Sequence, residues 1–284
     1  MIYMRRIKKI LKITGFALLI LFIGVYVLFV SFSSPSSDAR IVKKFASAPL
    51  QPEIQYKYFQ NFKYRTLSIC HNHKLPTLIF IHGSIGSSAD FIKYMTDASL
   101  LTKYNMIAYD RIGYNYKDTH HVQESIAFER DLLDDLISKT SGSNSILVGY
   151  SYGGPIALAT KKTVKKIVLL APAVYSEVEP MPWMVNFYKW KITRWLVPAI
   201  WKEASREKIS HPKDLKNFEH NWASTPNTVL SIHGNTDWIV PHSNSEYLLR
   251  QFPKHQFTLI TLPDTGHGLL WSQFDFIKQQ LLNL

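Results

Sequence analysis

Residues 148–154 read Val148-Gly149-Tyr150-Ser151-Tyr152-Gly153-Gly154, a Gly-x-Ser-x-Gly sequence between an apolar segment and a segment of small residues. The apolar segment 145–148 is typical of a short buried strand, and 155–159 can begin a helix. A serine on so tight a strand-to-helix turn projects its hydroxyl away from the backbone, and the flanking glycines leave room for the turn. The sequence therefore predicts Ser151 as a nucleophile.

From about residue 53 onward the chain alternates strand-like and helix-like segments, which is typical of an α/β fold around a mostly parallel sheet. The alternating segments 55–60 and 64–69 predict an antiparallel hairpin at the edge of the sheet. Continuous apolar runs predict buried strands at 77–81, 106–110, 145–149, 166–170, 228–232 and 257–262. Amphipathic helices are predicted over 124–139 and 274–282.

Residues 173–226 interrupt this alternation and hold five of the seven tryptophans. An insertion of this length between two core strands is typical of a functional segment. We expect a helical lid that covers the site with an apolar surface, or extra helices with an aromatic core of their own.

The N-terminal region carries a charge-free apolar run over 13–32, and five basic residues precede it. As a helix this run is about 30 Å long, enough to cross a bilayer. The sequence predicts a basic cytoplasmic segment (1–12), a retained transmembrane signal anchor (13–32), a linker (33–52) and a folded domain (53–284). The basic flank places the N-terminus in the cytoplasm and the domain on the extracytoplasmic side, in the periplasm if the source is bacterial. A cleaved signal peptide is the alternative.

Charge and cysteine content exclude other classes of protein. The net charge is +12, but residues 1–45 carry +7 of it, and the chain shows no nucleic-acid-binding motif. We therefore expect no nucleic-acid partner. The single cysteine, Cys70, excludes an intrachain disulfide and a cysteine-rich zinc site. The histidine pairs 71/73 and 120/121 lack a strong metal-ligand spacing, so no metal or other cofactor is expected.

Two loops that follow apolar strands offer the partners that a serine nucleophile needs. Asp237 lies in the loop 233–241, beyond the end of a predicted strand, where active-site residues of open α/β sheets collect. His267 stands between two glycines after the last strand and is placed to act as the general base on Ser151. Asp264 is a poorer candidate for the acid because it lies only three residues before the histidine.

A further loop, 82–86, follows the strand 77–81 and can present backbone N–H groups to a developing oxyanion. The N–H groups of Ser84 and Tyr152 are the predicted pair, and His82 is expected to fix the loop. Asp110 and Arg111 are interpreted as a polar pair that orders a loop near the site.

The order serine, acid, histidine behind a Gly-x-Ser-x-Gly turn distinguishes one arrangement among the known serine triads. Residues from about 55 to 284 resemble an α/β-hydrolase fold protein. The matching motifs are His82-Gly83, Asp110-Arg111-x-Gly113, Gly149-x-Ser151-x-Gly153-Gly154, His233-Gly234-x-x-Asp237-x-x-Val240-Pro241 and Gly266-His267. Tyr150 and Asn115 depart from the commonest family pattern, and both are interpreted as neutral.

The resemblance implies an α/β-hydrolase fold and a serine hydrolase with the triad Ser151, Asp237 and His267. A carboxylic ester with an apolar acyl or aromatic part is the expected small-molecule substrate. Thioester, amide or C–C bond hydrolysis would use the same triad, whereas dehalogenase and epoxide hydrolase chemistry is disfavoured because the nucleophile is not Asp. The alternative to an enzyme is a non-catalytic, membrane-anchored binding protein of the same fold. The sequence does not indicate an oligomeric state.

Overall fold

The apolar segments of the chain pair into one central sheet in the computed structural model, which describes residues 2–140 and 142–284. The strands are β1 (Glu53–Phe59), β2 (Phe62–Ile69), β3 (Thr77–Ile81), β4 (Asn105–Tyr109), β5 (Ser145–Tyr150), β6 (Lys166–Leu170), β7 (Val229–Gly234) and β8 (Phe257–Leu262). Among the described residues their order in the sheet is β1-β2-β4-β3-β5-β6-β7-β8. Met1 of the predicted segment 1–12 and Ser141 of the predicted domain lie outside the described residues.

The sheet is parallel from β4 to β8 and antiparallel at one edge. The strands β1 and β2 form the predicted antiparallel hairpin, and β2 pairs antiparallel with β4. All other pairings are parallel. The prediction of a mostly parallel α/β sheet is confirmed. The first and last residues of each predicted strand differ by at most two positions from those of an observed strand.

The helices within the described residues are α1 (Ile2–Ser33), α2 (Asp38–Lys44), α3 (Ile92–Met95), α4 (Ala98–Lys103), α5 (Ile126–Ser138), α6 (Gly153–Leu158), α7 (Val185–Lys189), α8 (Ala199–Leu215), α9 (Ser243–Gln251), α10 (Leu269–Ser272) and α11 (Phe274–Leu282). Helices that follow α1 cover both faces of the sheet, to which successive side chains of a strand point alternately. Phe80 belongs to one apolar core and its neighbour Ile79 to the other. A sheet buried on both sides holds the carboxyl ends of its strands in fixed positions.

The first helix, α1, stands apart from this core. Its residues from Tyr3 to Ser31 are long and apolar enough to cross a membrane, and none of the most apolar part is buried within the protein. Its C-terminal end contacts the rest of the chain. The indole Nε1 of Trp201 donates to Ser33 Oγ over 2.8 Å, and the Phe29 and Trp201 rings lie 5.5 Å apart.

The segment between α1 and the sheet differs from the expected linker. Ser37 caps the short helix α2, whose Ile41 and following Phe45 are fully buried in one of the two cores. Asp38 forms an ion pair with Arg65 of β2 at 2.7 Å. The sequence showed no period here because a helix of two turns places only one or two side chains in the core. Residues 38–45 therefore pack with the sheet instead of linking two independent parts.

The insertion 173–226 lies between β6 and β7 and is helical, as predicted. It contains α7, α8 and short 3-10 helices over Ser176–Val178, Arg194–Leu196 and Glu219–Ser224. Its tryptophans do not form one core. Trp222 is buried, whereas Trp183, Trp190 and Trp195 are 70%, 56% and 71% exposed.

Candidate active site

The nucleophile candidate Ser151 lies on the turn that joins β5 to α6. Its φ of +53° is in the left-handed region, which costs a non-glycine residue about 1–3 kcal/mol. Backbone hydrogen bonds hold the turn. Ser151 N–H donates to Leu170 O and Gly154 N–H donates to Ser151 O, both over 2.9 Å, and Ala173 N–H donates to Ser151 O over 3.2 Å. The surrounding sheet thus fixes a strained backbone that presents the serine side chain.

Two glycines of the turn are required by close backbone approach. A Cβ at Gly149 would lie 2.4 Å from Gly153 O, and a Cβ at Gly153 would lie 2.2 Å from Ile81 O. Both separations are too short for any side chain, so the helix begins directly against β3 and β5. This is the physical reason for the spacing of glycines around Ser151.

The loops after β7 and β8 bring two further predicted residues to this turn. His267 Nε2 lies 3.0 Å from Ser151 Oγ, and His267 Nδ1 lies 2.8 Å from Asp237 Oδ2. Asp264, the rejected alternative acid, shapes the preceding turn with a φ of +47°. The structure therefore brings Ser151, His267 and Asp237 together in one hydrogen-bonded series at the carboxyl end of the sheet.

The environment of Asp237 keeps its carboxylate ionised. Burial by itself raises the pKa of Asp237, but hydrogen bonds from His233 and His267 and from the Val240 N–H lower it more, and the result lies well below the usual range. The N–H groups of Ile239 and Val240 donate to Asp237 Oδ1 over 3.0 and 2.9 Å. An ionised carboxylate fixed in this way can orient the imidazole of His267 and stabilise its protonated form.

The predicted oxyanion donors, Ser84 and Tyr152, both line the cavity that contains Ser151. Among the described residues, no acceptor takes a hydrogen bond from the backbone N–H of either one. Gly83 lies against the nucleophile so closely that a Cβ there would be 2.8 Å from Ser151 Cβ. Two unused donors next to the serine are the arrangement that a developing oxyanion requires.

The loop that carries Ser84 is fixed by His82, as the sequence predicted. His82 is fully buried; its Nε2 accepts from the Arg111 N–H over 3.0 Å, and its Nδ1 lies 2.7 Å from Gly83 O. Burial and the nearby guanidinium of Arg111 lower the pKa of His82 well below its usual value. A neutral His82 can accept at one nitrogen while it donates at the other, which fixes the backbone of Gly83.

Glu207 of α8 is a site residue that the sequence analysis missed. Its buried carboxylate accepts hydrogen bonds from the Ser84 hydroxyl and, over 2.9 Å, from Tyr114 Oη, and it forms an ion pair with Arg111. Glu207 therefore joins the insertion to the oxyanion loop. It lies 123 positions from Ser84 in the chain, within an ordinary helical pattern, so no local signal indicated the contact.

The interpretation of Asp110 and Arg111 as a mutual pair is wrong. Asp110 pairs with Arg65 of β2 at 2.7 Å, and Arg111 pairs with Glu207. Adjacent residues at the end of a strand point to opposite sides of the sheet, so each one meets a different partner.

Tyr150 is also more than the neutral substitution that the sequence analysis assumed. Its hydroxyl donates to the backbone O of His267 over 3.0 Å, and the two rings lie 5.2 Å apart. The other departure from the family pattern, Asn115, contacts Arg65 and Asp118 and does not touch the triad. Tyr150 thus helps to hold the loop that carries His267.

The cavity at Ser151 has a volume of about 320 Å³. The insertion contributes Ala173, Glu179, Lys208 and His211 to its wall, and none of its tryptophans. Glu179 and Lys208 form an ion pair. Burial, followed by the charge of Lys208, lowers the pKa of His211 to about 3. The insertion therefore forms part of the cavity wall, mostly with the polar side chains of Glu179, Lys208 and His211, contrary to the expected apolar cover.

The histidine pairs that were considered for metal binding lie away from this site. In the part of the chain that the structure describes, no group of three or more His, Cys, Asp or Glu side chains is arranged to hold a metal ion.

Comparisons with known proteins agree with this fold. Residues 78–277 match a family described as the alpha/beta hydrolase family. An esterase from Exiguobacterium antarcticum has a TM-score of 0.64 at 17% identity, with 82% of this chain and 98% of that chain covered. A carboxylesterase from Bacillus subtilis has a TM-score of 0.62 at 18% identity, with 85% and 94% covered. A thioesterase domain from the curacin biosynthetic pathway has a TM-score of 0.60 at 14% identity, with 82% and 100% covered.

The chain matches no curated protein sequence. At identities below one fifth, the likeness to these solved structures shows a shared fold.

Proposed function

The chain belongs to the alpha/beta hydrolase family, and on that premise we propose that it is a serine hydrolase that cleaves carboxylic esters with Ser151, His267 and Asp237. One observation carries the proposal: His267 lies within hydrogen-bonding distance of both Ser151 Oγ, at 3.0 Å, and Asp237 Oδ2, at 2.8 Å. A base that is oriented by a fixed carboxylate and contacts a hydroxyl is the arrangement that activates a serine.

The reaction proceeds in two halves. His267 takes the proton of Ser151 as Oγ attacks the ester carbonyl carbon, and the N–H groups of Ser84 and Tyr152 stabilise the resulting oxyanion. The intermediate collapses, the C–O bond to the alcohol breaks, and His267 donates its proton to the departing alkoxide. Water then loses a proton to His267, attacks the acyl-enzyme and releases the acid, and the proton returns to Ser151.

Each step uses groups of this chain alone. Asp237 keeps a negative charge throughout, because its pKa is held well below the usual range, and it stabilises the imidazolium of His267. Each oxyanion donor contributes roughly 3–4 kcal/mol to the stability of the transition state in enzymes of this kind. Thioesters, amides and C–C bonds can react with the same residues, so the test substrates must extend beyond esters.

We further propose that α1 is a retained membrane anchor, with the N-terminus in the cytoplasm and the domain from residue 53 onward on the other side. The basic residues 5–12 precede the apolar part of the helix, which favours this orientation. The contact of its C-terminal end with Trp201 supports retention, since cleavage after Ser33 would remove both Ser33 and Phe29, which contact that indole. The intact mass of the protein purified from membranes distinguishes an anchor from a cleaved signal peptide.

The proposed activity is tested on the full-length protein in detergent with chromogenic esters, thioesters and anilides. Ser151→Ala should lower ester turnover to the background rate while the protein remains folded. Ser99→Ala, at an exposed serine of α4, is the matched control and should keep wild-type activity. Equal activity of Ser151→Ala and the wild type would contradict the proposal, and a folded wild type without activity on any substrate would favour a binding protein.

A further inference from the structure

A second cavity, with a volume of about 560 Å³, lies beside the one at Ser151. Its walls come from the end of α1, the segment that follows it, the start of α8 and the loop after Ser84. Its apolar side chains include Phe29, Pro35, Ile200 and Trp201. The proposed mechanism uses none of these residues.

The two cavities share four lining residues: Ile85, Gly86, Asp90 and Trp271. Ile85 follows the proposed oxyanion donor Ser84 directly. The wall of the second cavity therefore adjoins the place where the substrate carbonyl would react. Ile85 is 37% exposed and Trp271 is 49% exposed. Two large apolar side chains therefore stand open to solvent at the boundary between the cavities, where an apolar part of a substrate could cover them.

The second cavity lies at the end of the proposed membrane anchor α1. It is bounded by the last turn of α1, the point at which a membrane-spanning helix meets the bilayer surface. The insertion next to it exposes Trp183, Trp190 and Trp195, and no acidic residue occurs from Pro180 to Lys202. Exposed tryptophans with lysine and arginine neighbours are typical of surfaces that lie at the headgroup level of a bilayer.

Trp195 is six residues from Trp201, which contacts α1, so the two tryptophans lie within about 20 Å of each other. Trp195 is therefore on the same side of the molecule as the end of α1 and the second cavity, both of which Trp201 contacts or lines. A lipid in the bilayer could reach Ser151 from this side without its apolar chain passing through water.

We propose that the second cavity binds the acyl chain of a membrane lipid ester and that the first cavity holds its ester group at Ser151. This inference rests on the proposed serine hydrolase activity and names its substrate class. Pockets for small ligands range over roughly 300–1,000 Å³. The cavity at Ser151, at about 320 Å³, lies at the lower end of this range, whereas the second cavity has about 560 Å³, so a long apolar chain is better accommodated in the second one.

The first test is the dependence of turnover on acyl-chain length. Full-length protein in phospholipid nanodiscs is assayed with p-nitrophenyl esters from acetate to palmitate. A fully buried CH₂ group can raise kcat/KM about fourfold. Even at about twofold for each of the roughly eight added CH₂ groups, dodecanoate should exceed butyrate by roughly 100-fold or more. A flat profile, or a preference for acetate, would overturn the inference while leaving the hydrolase proposal intact.

A variant that fills the second cavity checks where the chain lies. Ser34 lines that cavity at an exposed position and does not line the one at Ser151. Ser34→Trp should abolish the preference for dodecanoate and leave acetate turnover unchanged, whereas Ser34→Ala should behave like the wild type. Because Ser34→Trp could direct its ring away from the cavity, a mapping experiment accompanies it.

The mapping experiment uses an alkyl fluorophosphonate with a diazirine near the end of its chain, which places the chain after reaction with Ser151. On irradiation, we expect cross-links to peptides that contain 29–36 or 200–201. Cross-links confined to other regions would overturn the inference. Failure of the probe to react with Ser151 at all would instead overturn the proposed function on which it rests.

The source of the lipid is tested by presenting dodecanoyl ester either in the same nanodiscs as the protein or in separate, protein-free discs. A bilayer source predicts faster initial turnover in the shared discs. Equal rates in both would show that the ester arrives from solution, contrary to the inference.

Discussion

Replacement of Gly83 by alanine tests the geometry of the proposed site without replacing any reacting group. The new Cβ would lie 2.8 Å from Ser151 Cβ and 3.3 Å from both Ser151 Oγ and Tyr150 O. Ordinary carbon–carbon contacts are about 3.5–4.0 Å, so Ser151 or the loop that carries Ser84 must move by about 1 Å. The backbone at Ser151 is already strained and fixed by the sheet, so we expect the movement to change the distance between the hydroxyl and the oxyanion donors.

A displacement of this size lowers catalysis by roughly 100-fold in well-oriented sites, which corresponds to about 2.7 kcal/mol of transition-state stabilisation. Overpacking also lowers the free energy of unfolding, typically by about 1–3 kcal/mol. Gly83→Ala should therefore remain folded, with a moderately lower melting temperature and a loss that falls mainly on kcat. Its rate of reaction with a fluorophosphonate should fall in parallel.

Gly266→Ala is the matched control. Gly266 precedes the proposed base His267, yet a Cβ added there meets no atom within 4 Å. The same chemical change next to the same site should then leave turnover within about threefold of the wild type, since surface substitutions without a steric conflict have small effects. The assay is hydrolysis of p-nitrophenyl butyrate by the full-length protein, with thermal unfolding recorded on the same samples. Wild-type kcat in Gly83→Ala, or an equal loss in both variants, would refute the reasoning.

Three further substitutions follow from the site. Asp237→Asn should lower kcat by roughly 10³–10⁴-fold with a smaller effect on KM, because His267 loses the carboxylate that orients it; retained turnover would contradict this role. Tyr150→Phe removes the hydrogen bond to the loop of His267 and should lower kcat about tenfold, and unchanged kinetics would show that ring packing suffices. Burial raises the pKa of Glu129 to about 7, although Arg111 opposes this shift. The folded protein then binds a proton that the unfolded chain releases, so its stability should fall from about pH 4.5 to about pH 7. Glu129→Gln should flatten this decline in thermal unfolding scans in detergent, and an unchanged slope would refute the assignment.

The sequence predicted most of the sheet because its signals are local. Parallel strands buried on both faces read as continuous apolar runs, as in 77–81 and 145–149, and the hairpin of β1 and β2 shows a partial alternation of apolar and polar residues. The three triad candidates were also within reach, since each one follows an apolar strand and carries a short motif. In the structure His267 lies within hydrogen-bonding distance of both Ser151 and Asp237.

Contacts between distant parts of the chain that no short motif marks were not predictable. Glu207 looks like any acidic residue of an amphipathic helix, and only its burial against Arg111 and Ser84 distinguishes it. The tryptophans of the insertion suggested an apolar cover for the site, because composition does not say which way a side chain faces. In the structure Trp183 and its neighbours face outward, and Glu179 and Lys208 face the cavity.

The central claim is that Ser151 is an activated nucleophile, and the intact mass after treatment with a fluorophosphonate tests it without knowledge of the substrate. Full-length protein in detergent should gain one adduct, located on Ser151 by peptide mapping, and Ser151→Ala should gain none. His267→Ala should react far more slowly, because no base then takes the serine proton. An adduct that persists in Ser151→Ala, or a folded wild type that gains none, would contradict the account.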